Sequence, residues 1–137
     1  MEVSTTSDPF QRLATLLTER GIAFVREMSS LTVRRLAPTG FDLTLHDDRV
    51  EWTVELDGAH VHFDSAEDAL QCFLFALTPR CRVRVTEWGG VPSSWAFQAS
   101  KDGRWESWHR TWVLVFPFWR RRATRVFQND FPGADGG

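Results

Sequence analysis

Two histidines on one strand-like stretch are the first residues that could do chemistry. Ala59, Val61 and Phe63 alternate with His60 and His62. Upstream, Val50, Trp52, Val54 and Leu56 alternate with Glu51, Thr53, Glu55 and Asp57. Asp57-Gly58 between the two runs is a two-residue hairpin signal, so Thr53 is expected to face His62 and Glu55 to face His60. A turn at Asp47-Asp48 would set Asp42 opposite Thr53 and make a polar row of Asp42, Thr53 and His62. A His-x-His pair beside a carboxylate is one way to hold a metal ion. No second ligand motif accompanies it, and alternating polar residues mark any solvated strand face. The expectation is therefore no metal and no cofactor.

His109 sits among Trp105, Trp108 and Trp112, and an imidazole in aromatic surroundings could be a tuned acid or base. Glu87 and Glu106 could approach it across neighbouring strands. Other catalytic signatures are missing. The chain has no Gly-x-Ser-x-Gly, and Gly89-Gly90 lacks the residues that complete a phosphate loop. Cys72 and Cys81 are too few for a disulfide framework and fall in apolar patterns, so both read as small core residues. The balance leans away from an enzyme.

A different signal is concentrated in the second half. Six of the seven tryptophans lie between Trp88 and Trp119, and Arg120, Arg121 and Arg122 follow directly. Net charge is −2 overall. The distribution is uneven: up to Leu77 there are six arginines against thirteen acids, and from Thr78 nine arginines and one lysine against five acids. The halves attract each other, and a basic binding face is the sharper reading. Arginine outnumbers lysine fifteen to one. A GC-rich genome would give that ratio, but Arg also stacks on indoles better than Lys does.

The elements that must position these residues follow from periodicity. Asp8-Pro9-Phe10-Gln11 reads as a helix start, with Asp8 as N-cap, Pro9 at the first position and Gln11 closing a capping box. Phe10, Leu13, Ala14 and Leu17 give its apolar face, and Gly21 ends it. Strands are then expected over 23–28, 31–37, 41–46, 50–56 and 59–63. Ser65 caps a second helix whose Ala66, Ala69, Leu70, Phe73, Leu74 and Leu77 share one face, and Thr78-Pro79 stops it. Strands resume over 81–86, 94–99, 104–118 and 123–128, with turns at 88–92 and at Lys101-Asp102-Gly103. The order is helix, about five strands, helix, about four strands. This predicts an α+β fold with two helices packed on a strongly curved, mainly antiparallel sheet. Residues 1–7 are expected to be a disordered segment, 8–131 one domain and 132–137 a flexible tail. No apolar run reaches the roughly 18 residues of a membrane span, and Met1–Thr6 is not a secretory signal. A reduced, cytoplasmic protein is the default.

The segment Trp112–Trp119 is apolar on both parities, so something should cover both of its faces. Simple alternation puts Trp112 with Leu114 and Phe116 in the core, and Trp105 on the opposite side from Trp108 and Trp112. Trp52 belongs to the core of the first meander. The leading expectation is a cytoplasmic bacterial interaction module of adaptor, chaperone or immunity type. It would bind a protein partner, or its own copy as a homodimer, through a Trp- and Arg-rich sheet. The residues assigned to binding are Trp88, Trp95, Trp105, Trp108, His109, Arg110, Arg120, Arg121 and Arg122. A second reading is a small-molecule or enzymatic site in the concavity of the sheet, lined by Trp88, Trp95, Trp105, Trp108 and His109. A third is single-stranded nucleic acid held by Arg120–Arg122, weakened by the negative total charge.

Overall fold

The computed structural model describes residues 8–113 and 117–132. The expectations placed on residues 1–7, 114–116 and the last five residues lie outside that range. Helix α1 spans Pro9–Glu19, with Asp8 accepting the Phe10 amide at 3.0 Å and Pro9 in the first turn. Gln11 does not close a capping box. Its amide nitrogen donates to Thr15 and its oxygen accepts from Arg26. Phe10, Leu13, Ala14 and Leu17 form the buried face, and Gly21 turns the chain at φ +72°.

Five strands follow: β1 (Val25–Arg26), β2 (Ser30–Val33), β3 (Leu43–Asp47), β4 (Trp52–Leu56) and β5 (Ala59–Phe63). They form an antiparallel meander in sequence order. Helix α2 spans Ala66–Ala76, its first turn capped by Ser65, whose hydroxyl accepts the Asp68 amide at 3.3 Å. Glu67 and Asp68 lie in that turn, where the helix dipole favours negative charge.

The remaining strands are β6 (Cys81–Trp88), β7 (Val91–Lys101), β8 (Arg104–Trp112) and β9 (Arg122–Gln128). They make a second sheet, in the order β8-β7-β6-β9. The fold is α+β as expected, but the nine strands of the described residues divide between two sheets instead of sharing one curved sheet. The two early strands are shorter than periodicity suggested, and β8 ends at Trp112, not near Phe118. Strand β9 lies at the opposite edge of the second sheet, and just before it the Arg121 carbonyl accepts from the Gly89 amide of the β6–β7 turn at 2.7 Å.

One apolar core joins all of this. Leu13 and Leu17 of α1, Phe73 and Ala76 of α2, Leu43, Val54 and Leu56 of the first sheet, and Val83, Val85 and Phe97 of the second belong to the same buried cluster. Trp52 packs against it, in line with expectation. The chain's second half is also tied in by a buried amide. Asn129 accepts from the Phe41 amide at 3.0 Å and donates to the carbonyls of Phe41 and Ala76.

The Asp57-Gly58 hairpin forms in the expected register, with Thr53 opposite His62 and Glu55 opposite His60. Gly58 is required here by close approach: a Cβ would lie 2.3 Å from the Trp95 ring. Asp57 carries the positive φ, +59°, and its carboxylate accepts from Trp95. Burial pushes the Asp57 carboxyl above its ordinary value. The Trp95 hydrogen bond opposes that shift, and the Asp42 charge adds to it. An acid whose folded pKa is raised costs stability once ionised. The cost is full above the folded value and vanishes as pH falls below the ordinary one. Asp57→Asn keeps the acceptor and suits a positive φ. It is expected to stabilise the protein slightly near neutral pH, the gain kept small by the solvent that reaches the half-exposed carboxyl. The gain should fade in acid, and paired thermal melts at neutral and acidic pH check both halves.

Candidate functional site

The two sheets turn very different outer faces away from the shared core. On the first sheet the outward rows are Thr32, Thr44, Glu55 and His60, then Ser30, His46, Thr53 and His62. Asp42 is not in them. The β3–β4 connection uses residues 48–51, with Arg49 at φ +71°, so His46 and not Asp42 faces Thr53. Two of these three imidazoles meet a carboxylate: His46 Nε2 lies 3.0 Å from Glu55, and His62 Nδ1 lies 2.5 Å from Glu51. Thr53 Oγ1 donates to Asp48 and lies 2.9 Å from His62 Nδ1. Asp48, Glu51 and His62 bring ligand-type atoms within 4.8 Å of one another. The hydrogen bonds among these groups account for their arrangement, and Asp48 and His62 are exposed.

The outer face of the second sheet is built by strand alternation. Cys81, Val83 and Val85 of β6 enter the core, so Arg82, Arg84, Thr86 and Trp88 point away from it. Pairing places Gln98, Ala96 and Ser94 of β7 beside Arg82, Arg84 and Thr86. On the other flank, β9 sets Gln128, Val126, Thr124 and Arg122 against Arg82, Arg84, Thr86 and Trp88.

The β8 edge contains the decisive irregularity. Phe97 pairs with His109 and Gln98 with Ser107, so Trp108 is an extra residue in a bulge. One inserted residue reverses the phase of everything after it. Trp105 and Ser107 therefore share the outer face with Arg110 and Trp112. The expectation that Trp112 is core, on the opposite side from Trp105, is overturned. Trp112 is 64% exposed. Trp112→Ala is accordingly expected to change stability by no more than about 0.5 kcal/mol, as for an ordinary surface substitution. A urea melt checks this.

Four arginines thus stand on this face, at 82, 84, 110 and 122, with three indoles and no carboxylate among the described residues. The Arg82 guanidinium lies 4.1 Å from the centre of the Trp105 ring and donates to Gln98 Oε1 at 2.7 Å. Gln98 in turn donates to Ser107 at 3.1 Å. Arg122 lies over Trp88 at 5.9 Å. Burial lowers the Arg82 pKa from its usual value, and the Arg84 charge adds to that. Arg84 and Arg110 have no ionic partner among the described residues, although they face each other across Ala96.

The nine residues expected to bind are therefore distributed over several places. Trp88, Trp105, Arg110 and Arg122 meet on the outer face. Trp95 opposes Val85 and Thr111 on the inner side and packs against the core. Trp108 leaves the bulge to stack on Phe75 of α2, and His109 follows Phe97 to the inner side. Arg120 closes a turn on the Pro117 carbonyl at 2.9 Å, and Arg121 lies against Gly89. Among the described residues, the five expected to line one concavity lie on both sides of the sheet, and Trp108 and His109 border a common cleft. Glu87, Glu106 and His109 do not converge either, since Glu87 opposes Ala123 and pairs with Arg125 at 3.6 Å. The sequence alone assigns no binding role to Arg82, Arg84 or Trp112. The Arg-x-Arg alternation against Cys81, Val83 and Val85 carried the signal for the first two.

Neither thiol offers a nucleophile. Burial pushes Cys72 up to about 12, and burial together with the Cys72 thiol raises Cys81 well above its ordinary value. Among the described residues no helix is long and apolar enough to cross a membrane. No family model matches the chain, and no curated protein or solved structure matches it.

Proposed function

We propose that this protein is a cytoplasmic interaction module whose second sheet docks an acidic surface of another protein. The observation that carries the reading is the outer face itself: Arg82, Arg84, Arg110 and Arg122 without a carboxylate among the described residues, around the exposed Trp112. An interface that buried this face would bring together the residue types that dominate binding energetics, indole and guanidinium. Carboxylates on the partner would neutralise a crowd of like charges that this chain leaves uncompensated.

Charge also argues against this face pairing with its own copy, since a two-fold contact would press arginines on arginines. Stacking argues against nucleic acid. Base recognition on a sheet uses open aromatic faces in a row. Of the three indoles described on this face, Trp105 and Trp88 are already capped by Arg82 and Arg122, and Trp112 stands open. Capped rings hold guanidiniums in fixed positions, which suits carboxylates better than bases.

Fluorescence anisotropy tests the proposal with a labelled peptide rich in Glu and Phe, beside a single-stranded oligothymidylate of equal charge. The peptide should bind saturably at low salt and weaken as the Debye length falls below about 10 Å near 0.1 M. No peptide binding at low salt, or tighter binding of the oligonucleotide, would overturn it.

A further inference from the structure

A second feature lies on the opposite side of the bulge, where β8 overhangs α2 and β5. An open cleft of about 500 Å³ runs between these elements. Its walls are aromatic: Phe63, Phe75, Phe97 and Trp108. Trp108 stacks nearly parallel on Phe75, with ring centres 5.7 Å apart and 7° between the planes, and leans on Phe97 at 5.5 Å. The bulge therefore has a second consequence. Besides resetting the outer face, it spends one residue as an overhang for this cleft, and that residue remains 62% exposed.

Three polar side chains also line the cleft: Asp68 and Gln71, one turn apart on α2, and His109. Among the described residues none of the three has a side-chain hydrogen bond or ionic partner. The neighbouring Glu67 is engaged by Arg12 at 2.8 Å, which leaves the Asp68 carboxylate as the cleft's one acid. Ligand sites generally combine an apolar lining with a few convergent polar groups, in volumes of roughly 300–1,000 Å³. Aromatic ring faces are negative, so a cation beside them is favoured, and a carboxylate fixes where that cation sits.

We propose that this cleft is a binding site for a small aromatic amine, its ammonium group paired with Asp68 and its ring lying against Trp108 and Phe63. Gln71 and His109 supply the remaining hydrogen-bonding groups. Charge excludes the acidic counterpart of the same ligand, because an arylalkyl carboxylate would bring a second anion to Asp68 inside an aromatic wall. The site is separate from the outer face and faces the other way from β8.

Tryptamine, 3-ethylindole and indole-3-acetate share one ring system and differ in charge, so they form the test. Each is titrated into isotope-labelled protein and followed by amide and methyl shifts. Tryptamine should bind saturably, with shifts centred on Val61, Gln71, Cys72 and His109. It should be favoured by up to about fivefold over 3-ethylindole, the size expected for an ion pair at an exposed carboxylate. Indole-3-acetate should be weaker still. Asp68→Asn should remove the preference for the amine while leaving 3-ethylindole unchanged. Equal affinities for the three probes, an unaltered preference in Asp68→Asn, or shifts centred elsewhere would overturn the assignment.

Discussion

Phe73→Ala is expected to destabilise the protein by about 3–5 kcal/mol, the range for deleting a fully buried phenylalanine. Phe73 has no exposed surface and sits on α2 within the cluster that joins both helices and both sheets. Removing the ring withdraws contact area and leaves a void that rigid neighbours close only in part. Against a total stability of about 5–15 kcal/mol, that loss is large enough to leave a sizeable unfolded population. Urea unfolding followed by far-ultraviolet circular dichroism measures it. A midpoint equal to that of the wild type would mean that the core is not shared in this way.

The second large effect concerns binding. Arg84→Glu combined with Arg110→Glu is expected to weaken the acidic peptide at least about tenfold, since like charge at a docking face costs several kcal/mol. Stability should change little, because neither guanidinium holds an ionic partner within the described chain. Arg84→Lys with Arg110→Lys should retain part of the affinity, because the charge stays while the bidentate geometry is lost. Unchanged peptide binding in the double reversal would mean that the face does not carry recognition.

Local chemistry explains what was legible in the sequence. Asp8, Pro9 and Ser65 start helices because caps act over two or three residues, and both helices lie where these signals put them. The Asp57-Gly58 loop has two residues, which leaves one register, and Thr53 meets His62 as expected. The Asp47-Asp48 turn failed because the loop is longer, and the pairing slipped by an even number of residues. Asp42 lost Thr53 as a partner, yet every side chain kept its face.

The site was harder to read. A bulge has no fixed sequence signature, and Trp108 resembles its neighbours. Its single extra residue turned Trp112 from an expected core residue into the most open indole of the outer face. Division of the strands into two sheets was equally hidden, because the return of β9 to the far edge depends on pairing between distant segments. The Arg82 and Arg84 alternation was visible, but without strand order nothing showed that Arg110 and Arg122 join them.

Docking on the outer face of the second sheet would be felt first by the indoles that stand on it. Indole N–H signals in a ¹⁵N–¹H spectrum test it most directly, recorded while the Glu- and Phe-rich peptide is added. Trp112, Trp105 and Trp88 are expected to move together with the backbone amides of Arg84 and Arg110, while Trp52 and Trp95 stay in place. Shifts confined to the first sheet, or to Trp52 and Trp95 without Trp112, would contradict it.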